Sequence, residues 1–225
     1  MLKMRMLLIG LVLGTATQAV FADTITRFRT ELSEDYVILG GIQGTGSAAG
    51  GFAEFVLTQP DGNPDATTLS YSIQFENVDL DGAQTPSVLD DITALHLHDI
   101  TKCAPAFPQC IEGTDTAGTL HLLNIFGAPR NDDDDVMVDP AASTITGLWD
   151  DGDASMPGTP VPTVPISDPA VIDLLINGNV ALFVHTNEVP AAASGGALTI
   201  VPEPQGVILL ISAIGALLGW RRRRS

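Results

Sequence analysis

Between residues 24 and 201, apolar and polar positions alternate in short runs and seldom recur at the three-to-four spacing of a helix. The runs predict strands over 26–32, 50–58, 67–78, 92–100, 119–127, 143–150, 180–186 and 197–201. In 67–78, Leu69, Tyr71, Ile73 and Phe75 alternate with Ser70, Ser72 and Gln74, as on a strand with one face buried. Phe52, Phe55 and Leu57 are the corresponding inward candidates of 50–58. Turn-forming stretches separate the runs: QPDGNPD, DLDGAQTP, PRNDDDD and DDGDASMPGTPVP. One segment, DPAVIDLLING, reads as a short helix with Asp168 as N-cap, Pro169 in its first turn and Gly178 as its stop. Short strands bounded by turns predict one all-β domain, an antiparallel β-sandwich of Greek-key type.

The two ends follow different rules. Lys3 and Arg5 precede an apolar stretch from Met6 to Leu13, and Val20-Phe21-Ala22 offers small residues on either side of an aromatic. That is the layout of a secretory signal peptide over 1–22, cut between Ala22 and Asp23 by signal peptidase. At the other end, Pro202-Glu203-Pro204 leads into an apolar run from Gly206 to Trp220 and then Arg221 to Arg224. The run is a short membrane span whose arginines would stay on the cytoplasmic side. Motif, apolar helix and Arg cluster over 201–225 resemble the PEP-CTERM sorting signal of exported proteins in Gram-negative bacteria. The resemblance implies recognition by an exosortase, with processing near Pro202, Glu203 and Pro204.

Setting the ends aside sharpens the charge. The chain has 27 acids and 10 bases; six bases (Lys3, Arg5 and Arg221 to Arg224) and one acid (Glu203) lie in the ends. The domain over 23–200 keeps 26 acids against four bases, near −22. Such a surface repels nucleic acid and draws cations. Cys103 and Cys110 enclose six residues, two of them proline, which in an oxidising compartment predicts a local disulfide.

Candidate chemistry centres on histidine. His96 and His98 are two apart on one predicted strand, so both leave the same face of a sheet about 7 Å apart along the chain. Two imidazoles so placed suit copper or zinc. His185 is the third candidate ligand and His121 a fourth; ordinary strand-face or hydrogen-bonded histidines are the alternative. The runs Asp132 to Asp135 with Asp139, and Asp150, Asp151 and Asp153, read first as solvated turns, with weak calcium binding as the other reading. Trp149 reads as packing. The sequence carries no phosphate-binding Gly-rich loop, nucleophile elbow or Cys–His nucleophile pair, so no enzyme activity is expected.

The order of motifs carries a family likeness. SAAGGFAEF, ITALHLHD, GTLHLLNIFG, STITGLWDDGD, LLINGNVALFVHT and SGGALTI, in that sequence, resemble a CHRD domain, the module named after chordin. Phe183 and Val184 depart from the family's more polar approach to V-H-T, Gly195-Gly196-Ala197-Leu198 lacks its Arg, and the Cys103–Cys110 loop looks inserted. The likeness implies a fold and an exported location more than a mechanism. A fainter one is to copper-zinc superoxide dismutases, on His96 and His98, then Thr116 to His121, then Val184-His185. It would make His96, His98 and His185 copper-ligand equivalents and put His121 near the bridging position. The further zinc-loop histidines and the guiding Arg are missing, and the negative surface repels superoxide, so dismutase activity is not expected.

The expectation is therefore an exported, non-enzymatic binding or structural module. It would be anchored in the inner membrane by its C-terminal helix until sorted to the cell surface or extracellular matrix, with extracellular polysaccharide as a partner. A copper- or zinc-handling protein built on the histidines is the rival.

Overall fold

The alternating segments form ten strands among the residues described by the structure, a computed structural model covering 22–39, 47–102, 121–127, 133–153, 164–190 and 192–202. They are β1 (Thr24–Leu32), β2 (Gly50–Gln59), β3 (Thr68–Glu76), β4 (Ile92–Asp99), β5 (His121–Gly127), β6 (Met137–Asp139), β7 (Thr144–Trp149), β8 (Val180–Thr186), β9 (Ser194–Ala197) and β10 (Thr199–Ile200). Two short helices accompany them, α1 (Glu34–Leu39) and α2 (Pro169–Ile176). The fold is all-β and antiparallel, with a six-stranded sheet in the order β10-β1-β2-β3-β7-β6 and a four-stranded sheet in the order β5-β4-β8-β9.

One apolar cluster draws on both sheets. Phe28, Phe55, Tyr71, Ile73 and Trp149 come from the larger sheet, and Leu95, Leu97, Leu123, Leu182 and Val184 from the smaller. Trp149 is fully buried, and its indole N–H donates to the Val164 carbonyl at 3.2 Å, so its one polar atom is satisfied.

Helix α2 follows its sequence signals. Asp168 accepts from the Ala170 N–H at 2.9 Å, Pro169 opens the first turn, and Gly178 (φ +69°) follows the end. Val171 and Leu175 face the core.

Four expectations change. Phe52 is 37% exposed while Phe55 and Leu57 are fully buried, because an odd separation puts it on the other face of β2. The predicted last strand is two, since the chain changes sheets at Leu198. Ala197 pairs with Ala181 of β8, whereas Thr199 pairs with Arg29 of β1. Leu198 is buried at the handover and donates its N–H to the Val180 carbonyl at 2.9 Å. Two elements were not anticipated, β6 with three residues and α1 with six, each too short to show a period.

The sheets also join where Ser33 and Gly195 exchange backbone hydrogen bonds of 3.0 and 3.2 Å. Among the described residues no helix is long and apolar enough to cross a membrane. The leader, the C-terminal apolar run with Glu203 and Pro204, and Cys103 and Cys110 lie outside the described residues. Ala22, Asp23 and Pro202 are described and exposed.

Candidate functional site

Strand β4 sits between β5 and β8, and its two faces do different work. Leu95 and Leu97 enter the shared core. Ala94, His96 and His98 take the other face, opposite His185, Phe183 and Ala181 of β8. His185 thus lies one pair along from His96 on the neighbouring strand. All seven residues of β8 are buried, so the smaller sheet is covered on both sides. On the histidine side Phe183 and Ala181 cluster with Val37 of α1, Ala192, and the partly buried Tyr36 and Ile100.

The structure brings three of the four candidate histidines together. His96, His98 and His185 are 4%, 0% and 2% exposed. The rings of His96 and His185 are 4.6 Å apart between centroids at 69°, and those of His96 and His98 are 5.4 Å apart at 80°. Phe183 packs on His98 at 4.7 Å and continues to Tyr36 at 5.9 Å, walling that side with aromatic rings. His121 is at the register position opposite His98 on β5. Among the described residues no three His, Cys, Asp or Glu side chains stand arranged to hold a metal ion.

Two hydrogen bonds fix the chemistry of the rings. His185 Nδ1 lies 2.9 Å from the Pro190 carbonyl, which can only accept, so Nδ1 carries the proton and Nε2 the lone pair. His96 Nδ1 lies 2.7 Å from Asn124 Oδ1, which gives the same assignment. Asn124 is the residue that sequence reasoning missed. It is three positions from His121, a spacing that would put the two on opposite faces of a regular strand. The β4–β5 ladder, however, shifts register between Leu95 and His96 and again between Leu97 and His98, so Asn124 stands opposite His96. The odd spacing of a lone polar residue in HLLNIFG is the only trace of this in the sequence.

Burial, opposed by the hydrogen bond to Pro190, holds the His185 pKa below its ordinary value of 6.5. The unfolded chain therefore takes up the proton more readily, and the neutral ring's contribution to stability is complete above pH 6.5 and lost as pH falls below it. His185→Asn, which keeps a donor for the Pro190 carbonyl, should lose less melting temperature than the parent between pH 7.5 and pH 5. Equal losses in the two proteins would contradict the assignment. Asp153, raised to about 6 mainly by burial, acts in the opposite sense, and in both proteins alike.

The acidic runs are not simply solvated turns, which corrects that expectation. Asp133 is 1% exposed, accepts from the Tyr71 hydroxyl and takes the Asp135 N–H at 2.8 Å. Asp153 accepts from the N–H groups of Asp134 (3.3 Å) and Asp150 (3.0 Å), and Asp151 accepts from the Ser167 N–H (3.0 Å). The carboxylates brace their own loops. Burial raises Asp133, and burial together with Asp133 raises the Tyr71 hydroxyl. Tyr71→Phe should cost about 1–3 kcal/mol in denaturant unfolding, because it strips a partner from a buried carboxylate; a cost near zero would show that water replaces the hydroxyl.

No protein-family model, curated protein or solved structure matches the chain.

Proposed function

We propose that the chain is an exported, exosortase-sorted surface or matrix protein. Its domain over 23–200 would be a CHRD-like β-sandwich that does no catalysis and holds one copper or zinc ion on its buried histidine face. The leader over 1–22, the motif Pro202-Glu203-Pro204 and the terminal arginines support the route, and the order of strand motifs supports the module. Extracellular polysaccharide remains the partner proposed for the surface.

One observation favours the metal-holding reading over a purely structural one: His96, His98 and His185 pack side by side in the interior, with His96 and His185 each oriented through Nδ1. With nitrogen–metal bonds of about 2.0–2.1 Å, two imidazoles on one ion have ring centres about 4.5–5.5 Å apart. The spacings here are 4.6 and 5.4 Å. Histidine ligands are commonly held through their second nitrogen by a carbonyl or amide, as His185 and His96 are. Three imidazoles serving only as filler would be an unusual choice for positions where Leu or Val packs without a polar atom to satisfy.

The test is metal content by mass spectrometry on the purified full chain after dialysis against trace copper, zinc and calcium. About one copper or zinc per chain, lost in His96→Leu/His98→Leu, is expected. A folded parent that stays empty would return the histidines to a structural role, and the search for function would move to surface partners.

A further inference from the structure

The outer face of the larger sheet carries little of the domain's charge. Its inner positions, among them Phe28, Phe55, Tyr71 and Trp149, fill the shared core, so the alternate positions point away from the smaller sheet. Two rows of these run in register across β1, β2, β3 and β7. One is Arg29, Glu54, Ser72 and Thr146; the other is Glu31, Phe52, Gln74 and Thr144. Each row crosses four strands, about 14 Å at the usual strand spacing.

The rows offer what a sugar ring needs. Phe52 is 37% exposed, and the Arg29 guanidinium lies over its ring, 5.3 Å from the centroid, which fixes the ring's orientation on the sheet. An aromatic ring packs on the apolar C–H face of a pyranose. Beside it, Ser72 and Thr146 supply hydroxyls that donate and accept, and Glu54 a carboxylate that accepts. Glu54 and Ser72 are exposed.

Charge narrows the partner further. The four strands hold Arg27, Arg29, Glu31, Glu54 and, at the end of β3, Glu76, and no other charged residue. The face is thus nearly balanced, on a domain near −22. A polyanion or a second copy of the chain meets the repulsion of that domain, and a polycation is drawn to the acidic loops instead of this face. An uncharged chain responds to neither, and local contacts alone decide where it lies.

Resting on the reading of the domain as an exported binding module with extracellular polysaccharide as partner, we propose that the outer face of the larger sheet is the docking surface and that the polysaccharide it takes is uncharged. Phe52 is the stacking platform, and Glu54, Ser72 and Thr146 hydrogen-bond the sugar hydroxyls.

The test uses the full chain, formally −17, in native gels cast with hydroxyethylcellulose, galactomannan or dextran, and with alginate as the anionic counterpart. A polyoxyethylene detergent, which has no sugar headgroup, keeps the chain in solution. Retardation by a neutral polymer is expected, none by alginate, and no weakening as salt is raised. Phe52→Ala should weaken the binding by at least about 10-fold. Val88→Ala, at an exposed apolar residue in the connection between β3 and β4, should match the parent. Should Phe52→Ala fail to fold, Glu54→Ala/Ser72→Ala alters only exposed positions and should weaken the binding by at least about 5-fold. Retardation undiminished in the folded Phe52→Ala chain, or in Glu54→Ala/Ser72→Ala, would overturn the face while leaving the polysaccharide partner intact. Retardation by alginate alone would overturn the uncharged class and leave that partner intact. Retardation by none of the polymers would overturn both.

Discussion

Trp149→Ala is expected to lower stability by about 3–5 kcal/mol, the usual cost of emptying a buried aromatic site. The indole is fully buried in the cluster shared by both sheets, and its N–H satisfies the Val164 carbonyl. The substitution opens a cavity and leaves that carbonyl without its donor. For a domain of this size the melting temperature should fall by roughly 10 °C. Trp149→Phe should recover most of the packing and none of the hydrogen bond, so its loss should be clearly smaller. A shift of only a degree or two for the alanine variant would mean that Trp149 does not occupy the shared core.

The second large effect is at Gly51. Its φ is +138°, and a Cβ there would come within 2.0 Å of the Gln74 carbonyl oxygen on the paired strand. Backbone cannot yield as a flexible side chain can, so β2 and β3 would have to part at Gly51 and Phe75. Gly51→Ala should therefore cost about 3 kcal/mol, read as a lowered denaturant midpoint. Gly62 provides the internal comparison: its φ is +75°, but no atom lies within 4 Å of the added Cβ. Gly62→Ala should cost only about 1 kcal/mol, the expense of a left-handed backbone alone. Equal costs at the two sites would show that strain, and not the close approach of strands, sets the requirement at Gly51.

Much of this fold is legible in the sequence, for a physical reason. Where one face of a strand is buried, the period of two is written into the residues, so Leu69 to Phe75 could be read directly and their order along β3 is as expected. Helix α2 was legible because capping is local: Asp168, Pro169 and Gly178 each act within a turn. Phe52 misled because an aromatic side chain suggests burial more strongly than its parity suggests exposure. Strands β9 and β10 ran together because the handover at Leu198 between two sheets is a tertiary event with no local signature.

The candidate site was half legible. His96 and His98 declare a common face by their spacing. That His185 would lie beside His96 depends on β8 being the neighbour of β4, which only the strand order reveals. Burial of the histidine face was also hidden, since it requires α1, six residues from a different part of the chain, to close over β8 and β9. Asn124 became visible only through the register shifts on β5. The acidic loops were misread in part because charge runs look alike whether they meet water or, like Asp133, a tyrosine hydroxyl in the interior.

The central claim is that a metal ion is held by ring nitrogens on the histidine face, and X-ray absorption on the metal-loaded full chain with intact cysteines tests it most directly. The account predicts a copper or zinc edge with a shell of about three nitrogens near 2.0 Å, outer-shell scattering of imidazole, and no sulfur. A first shell containing sulfur near 2.3 Å, or oxygen alone, would place the ion on Cys103 and Cys110 or on the acidic loops, and would contradict the account.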